Sequence, residues 1–530
     1  MRNECIPLAV GVTGHRAIRP EDRPILAEAV KRELKKLQAR YPNTPLMMLN
    51  SLAEGGDQIC AEAAFDMGIP LVAVLPMEQA EYEKDFEGPA LERFRDLLRQ
   101  ADQCMVAPPS EITSAAHNRD YYYRQASIYV ATHCHVLLAL WDGGPGTSAA
   151  CGASETVDFA LHRSFHPIYS APLFSSTAVI HLFTPRGQRT EGVPGEARML
   201  GNDETWQELM DRTEEFNALA AKVDTEGAYP LLPKREEADP LLDRIENIYQ
   251  QADKLSLRFA GVYRRILILL ALVSTMITLC FLLYDEANMH GLIIVCGLAL
   301  LAAWVLSRFA KRSSCHRRYL EYRVLAESLR AQGFLRYAGV RREAITLLPW
   351  SQQEETPWIG LAIIVLCVGE APAKAHNILA CWPEDQRNYH LKAKKKADRK
   401  LQASGRVVGV ALMVSIVLYA AALVFEFRYG GLLARFPAIP NAESWRTWLK
   451  LVLGGISAAT LFISSYYGKL SLSRGVEDHV KMAAFYQRII DRLTRLGQDE
   501  PTLLLLAREE LIENGNWCSY QRDNTPDFSM

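Results

Sequence analysis

The sequence predicts a doubly wound α/β domain at the N-terminal end, followed by an all-α region that crosses a membrane four times. Three observations carry this. Up to about residue 185, short continuous apolar runs alternate with helical patterns, as in a parallel sheet buried on both faces. Behind them, the segments 266–284, 291–306, 407–425 and 451–467 contain no Asp, Glu, Lys or Arg. Each approaches the roughly 20 apolar residues that a bilayer core demands, and each is apolar all round, where a soluble helix keeps a polar face. Buried helices of a large soluble core are the weaker alternative. Third, basic residues cluster on one side of these segments: Arg264 and Arg265, then Lys311 and Arg312, then Lys394 to Lys396, then Lys469.

Taken in order, the strand runs are 7–12, 46–51, 71–75, 135–140 and 177–183, with helical patterns at 24–39, 57–67 and 90–101 between them. Ligands of such sheets bind at the carboxyl ends of the strands, and three loops there hold candidate residues. The first contains Gly11, Thr13, Gly14, His15 and Arg16. A glycine lets backbone approach a phosphate, and the hydroxyl, imidazole and guanidinium supply donors and charge. By itself it reads equally as a tight turn. The second loop holds Gly55, Gly56 and Asp57 at a helix start, where Asp57 is also a natural N-cap. The third runs from Asp142 and Gly143 to Gly152, Ser154 and Glu155, again feeding a helix. Unpaired N–H groups of Thr13–Arg16, of Gly55 and Gly56, and of Gly152–Glu155 are expected to face an anion. Arg124, after Tyr121, Tyr122 and Tyr123, is placed to pair with a phosphate; the tyrosines could stack on a base or simply begin an amphipathic helix. His133 and His135 flank Cys134, but alternation leaves only two ligands on one face, so no metal is expected.

These runs, GVTGHR, SLAEGGDQICAEAA, VLP, YYYRQASIYVATHCHVLLALWDG and GASETVDFAL, resemble the SLOG superfamily over about residues 5–185. The resemblance implies a Rossmann-like domain that binds a nucleotide or a cyclic or NAD-derived nucleotide, with no further cofactor. In the related LOG phosphoribohydrolases a P-G-G-x-G-T-x-x-E motif supplies phosphate-binding backbone and a catalytic Glu. Here that motif is broken, and Gly152-Ala153-Ser154-Glu155 is its better match, with Glu155 the catalytic residue if hydrolysis occurs. The break weighs against hydrolysis more than against binding.

The domain spans residues 1–190. A Gly- and Pro-rich linker, 186–200, leads to cytoplasmic helices in 191–258, the last of which is expected to continue into the first span. Two modules follow, 259–345 and 397–500, each ordered helix, span, span, long helix; a connector, 346–396, separates them, and 501–530 is read as a tail. The segment 358–368 is too short to span and is expected to be a buried or interfacial cytoplasmic helix, and Trp350, Trp358 and Trp382 near it fit a docking surface or core packing. The modules are similar to SLATT domains, two-span effector modules of bacterial conflict systems. By the positive-inside rule both termini face the cytoplasm of a multi-pass inner-membrane protein. MRNECIPLAVGVTGHR goes straight into a strand without an apolar run or small-residue cleavage site, so insertion is expected to rely on the internal spans and not on a signal peptide.

Charge and cysteine usage narrow the class. A net charge of −2 argues against a nucleic-acid partner, and the 11 cysteines show neither a C-x-x-C pair nor metal spacing, which reads as reduced cytosolic thiols. No charge sits within the spans, which weighs against a transporter. Gly297, Gly409, Gly454, Gly455, Ser457 and Ala458 permit close helix packing or homo-oligomerisation. The resulting expectation is a membrane-anchored sensor and effector that binds a nucleotide-type signal and permeabilises the bilayer in antiphage or inter-bacterial defence. A membrane-tethered nucleotide hydrolase is the alternative, and an adaptor with a vestigial site a third.

Overall fold

The computed structural model describes residues 4–109, 118–144, 152–163, 177–186, 191–201, 203–228, 230–233, 235, 238–286, 290–369, 375–428, 446–457, 460 and 472–523. Its N-terminal part is a seven-stranded sheet: β1 Leu8–Gly14, β2 Leu46–Asn50, β3 Leu71–Leu75, β4 Gln103–Val106, β5 Val136–Trp141, β6 Ala178–Phe183 and β7 Ala197–Leu200. The spatial order is β4-β3-β2-β1-β5-β6-β7. The first six strands pair in parallel and β7 runs antiparallel to β6. Two strands are additions to the expected set. β4 and β7 are four-residue edge strands whose side chains are largely half-exposed or exposed, so they lack the continuous apolar run that marks a central strand. β7 lies inside the stretch read as a linker.

Alternation along each strand sends side chains to two cores. One face carries Val10, Met48, Ala73 and Leu138 against α1 (Arg23–Arg40), α2 (Gly56–Asp66) and α4 (Pro89–Gln100), with α3 (Gln79–Tyr82) before α4. The other carries Ala9, Leu49, Val74 and Leu137 against α5 (Arg119–Thr132) and α6 (Ala153–His162). α7 (Asp203–Ala220) closes the first core with Trp206 and Met210, and Asn217 bonds the backbone of Ile6 in both directions.

The remaining helices are long. α8 (Pro240–Glu286) begins at Asp239, whose carboxylate accepts the N–H groups of Leu241 and Leu242 at 3.1 Å, and runs unbroken through the first apolar segment. α9 (Leu292–Ser313) and α10 (Cys315–Tyr337) follow, divided at Ser314, which has φ +46°. After the short α11 (Trp350–Gln353) come α12 (Pro357–Leu366), α13 (Asp385–Arg428), and the helices Leu472–Leu496 and Glu500–Asp523. Three stretches, Pro240–Asp285, Leu292–Tyr337 and Ala380–Val424, are long and apolar enough to cross a membrane. Their apolar faces are open: Leu272, Ile294, Leu298, Val410 and Val417 are all exposed, which water would penalise and lipid would not. The fourth expected span, 451–467, falls mostly outside the described residues; Gly454 in its described part meets Leu282 of α8 at close range.

The chain forms two compact units: Met1–Leu255 with Glu321–Asn377 and Leu503–Gly515, and Ser256–Leu320 with Ile378–Thr502 and Asn516–Met530. These bounds differ from those expected. α12 is buried, one of the two expectations for it, and belongs not to a connector but to the first unit, where Val365 packs into the second core of the sheet. Trp358 is buried near Phe216, and Trp382 is buried in the second unit, so both are packing residues. The supposed tail contributes Glu510, 2% exposed, whose carboxylate pairs with Arg330 of α10; Arg330 and Arg323 both hold Glu327, and Arg323 also holds Asp253 of α8 at 3.0 Å.

Candidate functional site

Strand order reverses direction of winding between β1 and β5, and the crevice above their carboxyl ends is where open α/β sheets take ligands. Gly14 ends β1. A Cβ there would lie 2.8 Å from the Cα of Gly56, so the β1 end and the start of α2 touch through bare backbone. Gly55, the N-cap of α2, has φ +93°, and a Cβ on it would stand 2.3 Å from the carbonyl oxygens of both His15 and Arg16. Only glycine fits that corner. Gly11, by contrast, is not a loop residue: it sits inside β1 opposite Leu137, and a Cβ would collide with Val130 and Cys134, so it allows α5 to pack on the sheet. Thr13 is likewise in β1, buried and paired with Ala139.

Several backbone donors expected to face an anion are already engaged. The His15 N–H donates to Leu140 O at 3.0 Å, the Gly56 N–H to His15 O at 2.9 Å and the Glu155 N–H to Gly152 O at 3.0 Å. What α6 offers is its first turn, Ala153 and Ser154, beyond Gly152, where a helix has no internal acceptors.

His15 is 7% exposed and held from two sides. Its Nε2 lies 3.1 Å from the Asp142 N–H and 3.3 Å from the Asp142 carboxylate, and its Nδ1 lies 3.3 Å from Nη1 of Arg186. Burial lowers its pKa, Asp142 opposes this and Arg186 adds to it, so the ring is neutral at pH 7. Asp142 also accepts the Gly144 N–H at 3.0 Å, which shapes the turn at Gly143, φ +74°. Arg186 lay unnoticed in the supposed linker. It follows β6 by three residues, and that position at a strand's carboxyl end was the one available signal.

Asp57 is not the N-cap of α2 but lies two residues inside it, buried. Burial pushes its carboxyl up to about 7, against the pull of an Ala53 N–H bond and of Arg16. Arg16 itself is exposed and lies over the Tyr123 ring, 5.5 Å from the centroid. Tyr123 donates its hydroxyl to Asp85, which also pairs with Arg119. Tyr121 is buried and packs on Tyr122. Arg124 and Glu155 meet directly, Nε to Oε1 at 2.8 Å, bridging α5 and the first turn of α6.

His133 and His135 do not share a strand face. His133 caps the end of α5, stacked on Tyr129, while His135 precedes β5 and its Nδ1 accepts the Ala9 N–H at 3.0 Å. Among the described residues no three His, Cys, Asp or Glu side chains converge. A groove of about 300 Å³ between α13 and Leu472–Leu496 is lined by Leu391, Val480 and Ala484 beside Arg387 and Lys394, and offers no acid or nucleophile.

The chain matches no protein-family model, no curated protein and no solved structure.

Proposed function

We propose that this protein is a membrane-anchored sensor and effector: the crevice above β1 and β5 binds a nucleotide or a cyclic or NAD-derived nucleotide, and binding acts on the bilayer through the apolar helices. The observation that carries it is the convergence of His15, Asp142 and Arg186 at the reversal of strand order, in a chain whose other half contains three membrane-length apolar helices. Asp142 and the α6 first turn would take ribose hydroxyls and phosphate. The tandem SLATT-like layout, a fourth span at 451–467, an inner-membrane location with cytoplasmic termini, homo-oligomerisation and a role in bacterial defence belong to this proposal. They rest on the order of segments and on the resemblance of residues 5–185.

A second reading is favoured by one contact. The Arg124–Glu155 pair places an acid and a cation at the crevice rim, as a nucleotide hydrolase would need. One experiment separates them. The full chain, in detergent, is incubated with mono-, di- and cyclic nucleotides and NAD derivatives, and retained ligand is identified by chromatography; liposomes loaded with dye are then exposed to the same ligand. The sensor reading expects unchanged ligand and dye release. A cleaved product that vanishes in Glu155→Gln transfers the assignment to the hydrolase, and neither retained ligand nor cleaved product overturns both.

A further inference from the structure

We propose that Arg186 and His15 form the phosphate clamp of this crevice, with one phosphate oxygen seated between Nη1 of Arg186 and Nδ1 of His15. This rests on the nucleotide-binding reading above and narrows it to ligands that present a phosphate over the ends of β1, β5 and β6. A neutral imidazole has one N–H and one acceptor nitrogen. Nε2 has two Asp142 contacts, the backbone N–H at 3.1 Å and a carboxylate oxygen at 3.3 Å, and in the tautomer we infer it accepts from the nearer, the N–H fixed by the end of β5. The ring proton is then on Nδ1, where Arg186, a group that can only donate, stands 3.3 Å away. Two donors face each other with nothing to accept between them. An anionic oxygen placed within reach of both converts that opposition into two charge-assisted hydrogen bonds.

The surroundings agree with this assignment. Among the described residues no carboxylate forms an ion pair with Arg186, whereas Arg119 pairs with Glu81 and Asp85 and Arg124 with Glu155. Arg186 is exposed, so it can swing onto a ligand, while His15 is buried. The low pKa of His15 has its causes in burial and in Arg186, and a phosphate would relieve the second.

The test uses inorganic pyrophosphate as the probe, titrated calorimetrically into the full chain in detergent at pH 7, with AMP and adenosine alongside. Arg186→Ala weakens pyrophosphate binding by roughly ten- to a hundred-fold, the loss of a hydrogen bond to a charged group. Arg186→Lys recovers part of it. Arg198→Ala, which removes an exposed charge of the same sign already paired with Glu196, changes it by less than about two-fold. In a histidine-labelled chain, pyrophosphate shifts the ring signals that disappear in His15→Gln. Failure of the wild type to bind pyrophosphate, or binding indifferent to Arg186, overturns the clamp. Nucleotide retained with an affinity independent of Arg186 defeats the clamp and leaves the sensor standing. Pyrophosphate binding that needs Arg186, with no nucleotide retained, upholds the clamp and defeats the nucleotide reading.

Discussion

At the scale of single residues, two positions at the start of α2 carry measurable consequences. Gly55→Ala places a methyl 2.3 Å from two carbonyl oxygens on a backbone with φ +93°, so it should cost at least about 2 kcal/mol. Thermal unfolding of the full chain in detergent reads this, and an unchanged Tm would show that the corner is built otherwise. Asp57 gives a pH signature. Its folded pKa, about 7, lies above the unfolded value near 3.8, so the protonated carboxyl's contribution is fully present below pH 4 and is lost as pH rises through 7. The change is on the order of 4 kcal/mol. Asp57→Asn should therefore unfold at a denaturant midpoint less sensitive to pH between 4 and 8 than wild type; parallel profiles would disprove the buried-acid account. The candidate residues themselves were legible as types, because glycines, His, Arg and Asp after an apolar run mark a strand-end loop. Which of their N–H groups remain free was not, since His15, Gly56 and Glu155 spend theirs on carbonyls that only the folded loops bring near.

At the scale of elements, the central strands and the long apolar helices were readable because both faces of a buried strand, and all faces of a membrane helix, exclude charge. β4 and β7 were not, because an edge strand is half-exposed and carries no such signal. α12 was visible as a short apolar helix, but its address was not. It is buried on every side within the first unit, and Val365 enters the core that also holds Val130 and Val157. Val365→Asp should destabilise this unit by at least about 3 kcal/mol, since a charge would be buried without a partner. Limited proteolysis compares the two proteins. Cleavage of the sheet domain at the wild-type rate would remove α12 from its core.

At the scale of the whole molecule, the sheet domain is assembled from three stretches of chain, Met1–Leu255, Glu321–Asn377 and Leu503–Gly515. A fragment of residues 1–190 would lack Trp206, Met210 and Asn217 of α7 and Val365 of α12, leaving both cores uncovered. Such a fragment is expected to lose near-UV circular dichroism and cooperative unfolding, both of which this domain keeps in the full chain; a fragment with a sharp transition would show that the later segments are dispensable. The sequence by itself determined the alternation of strands and helices, the apolar segments and the loops that end the strands. These are local properties, set by periodicity and by the exclusion of charge. Tertiary structure alone decided that Arg186 meets His15, 171 positions away, and that α12 and part of Glu500–Asp523 belong to the sheet's unit. Such meetings depend on strand order and on where long helices return, and no window of sequence contains both ends of them.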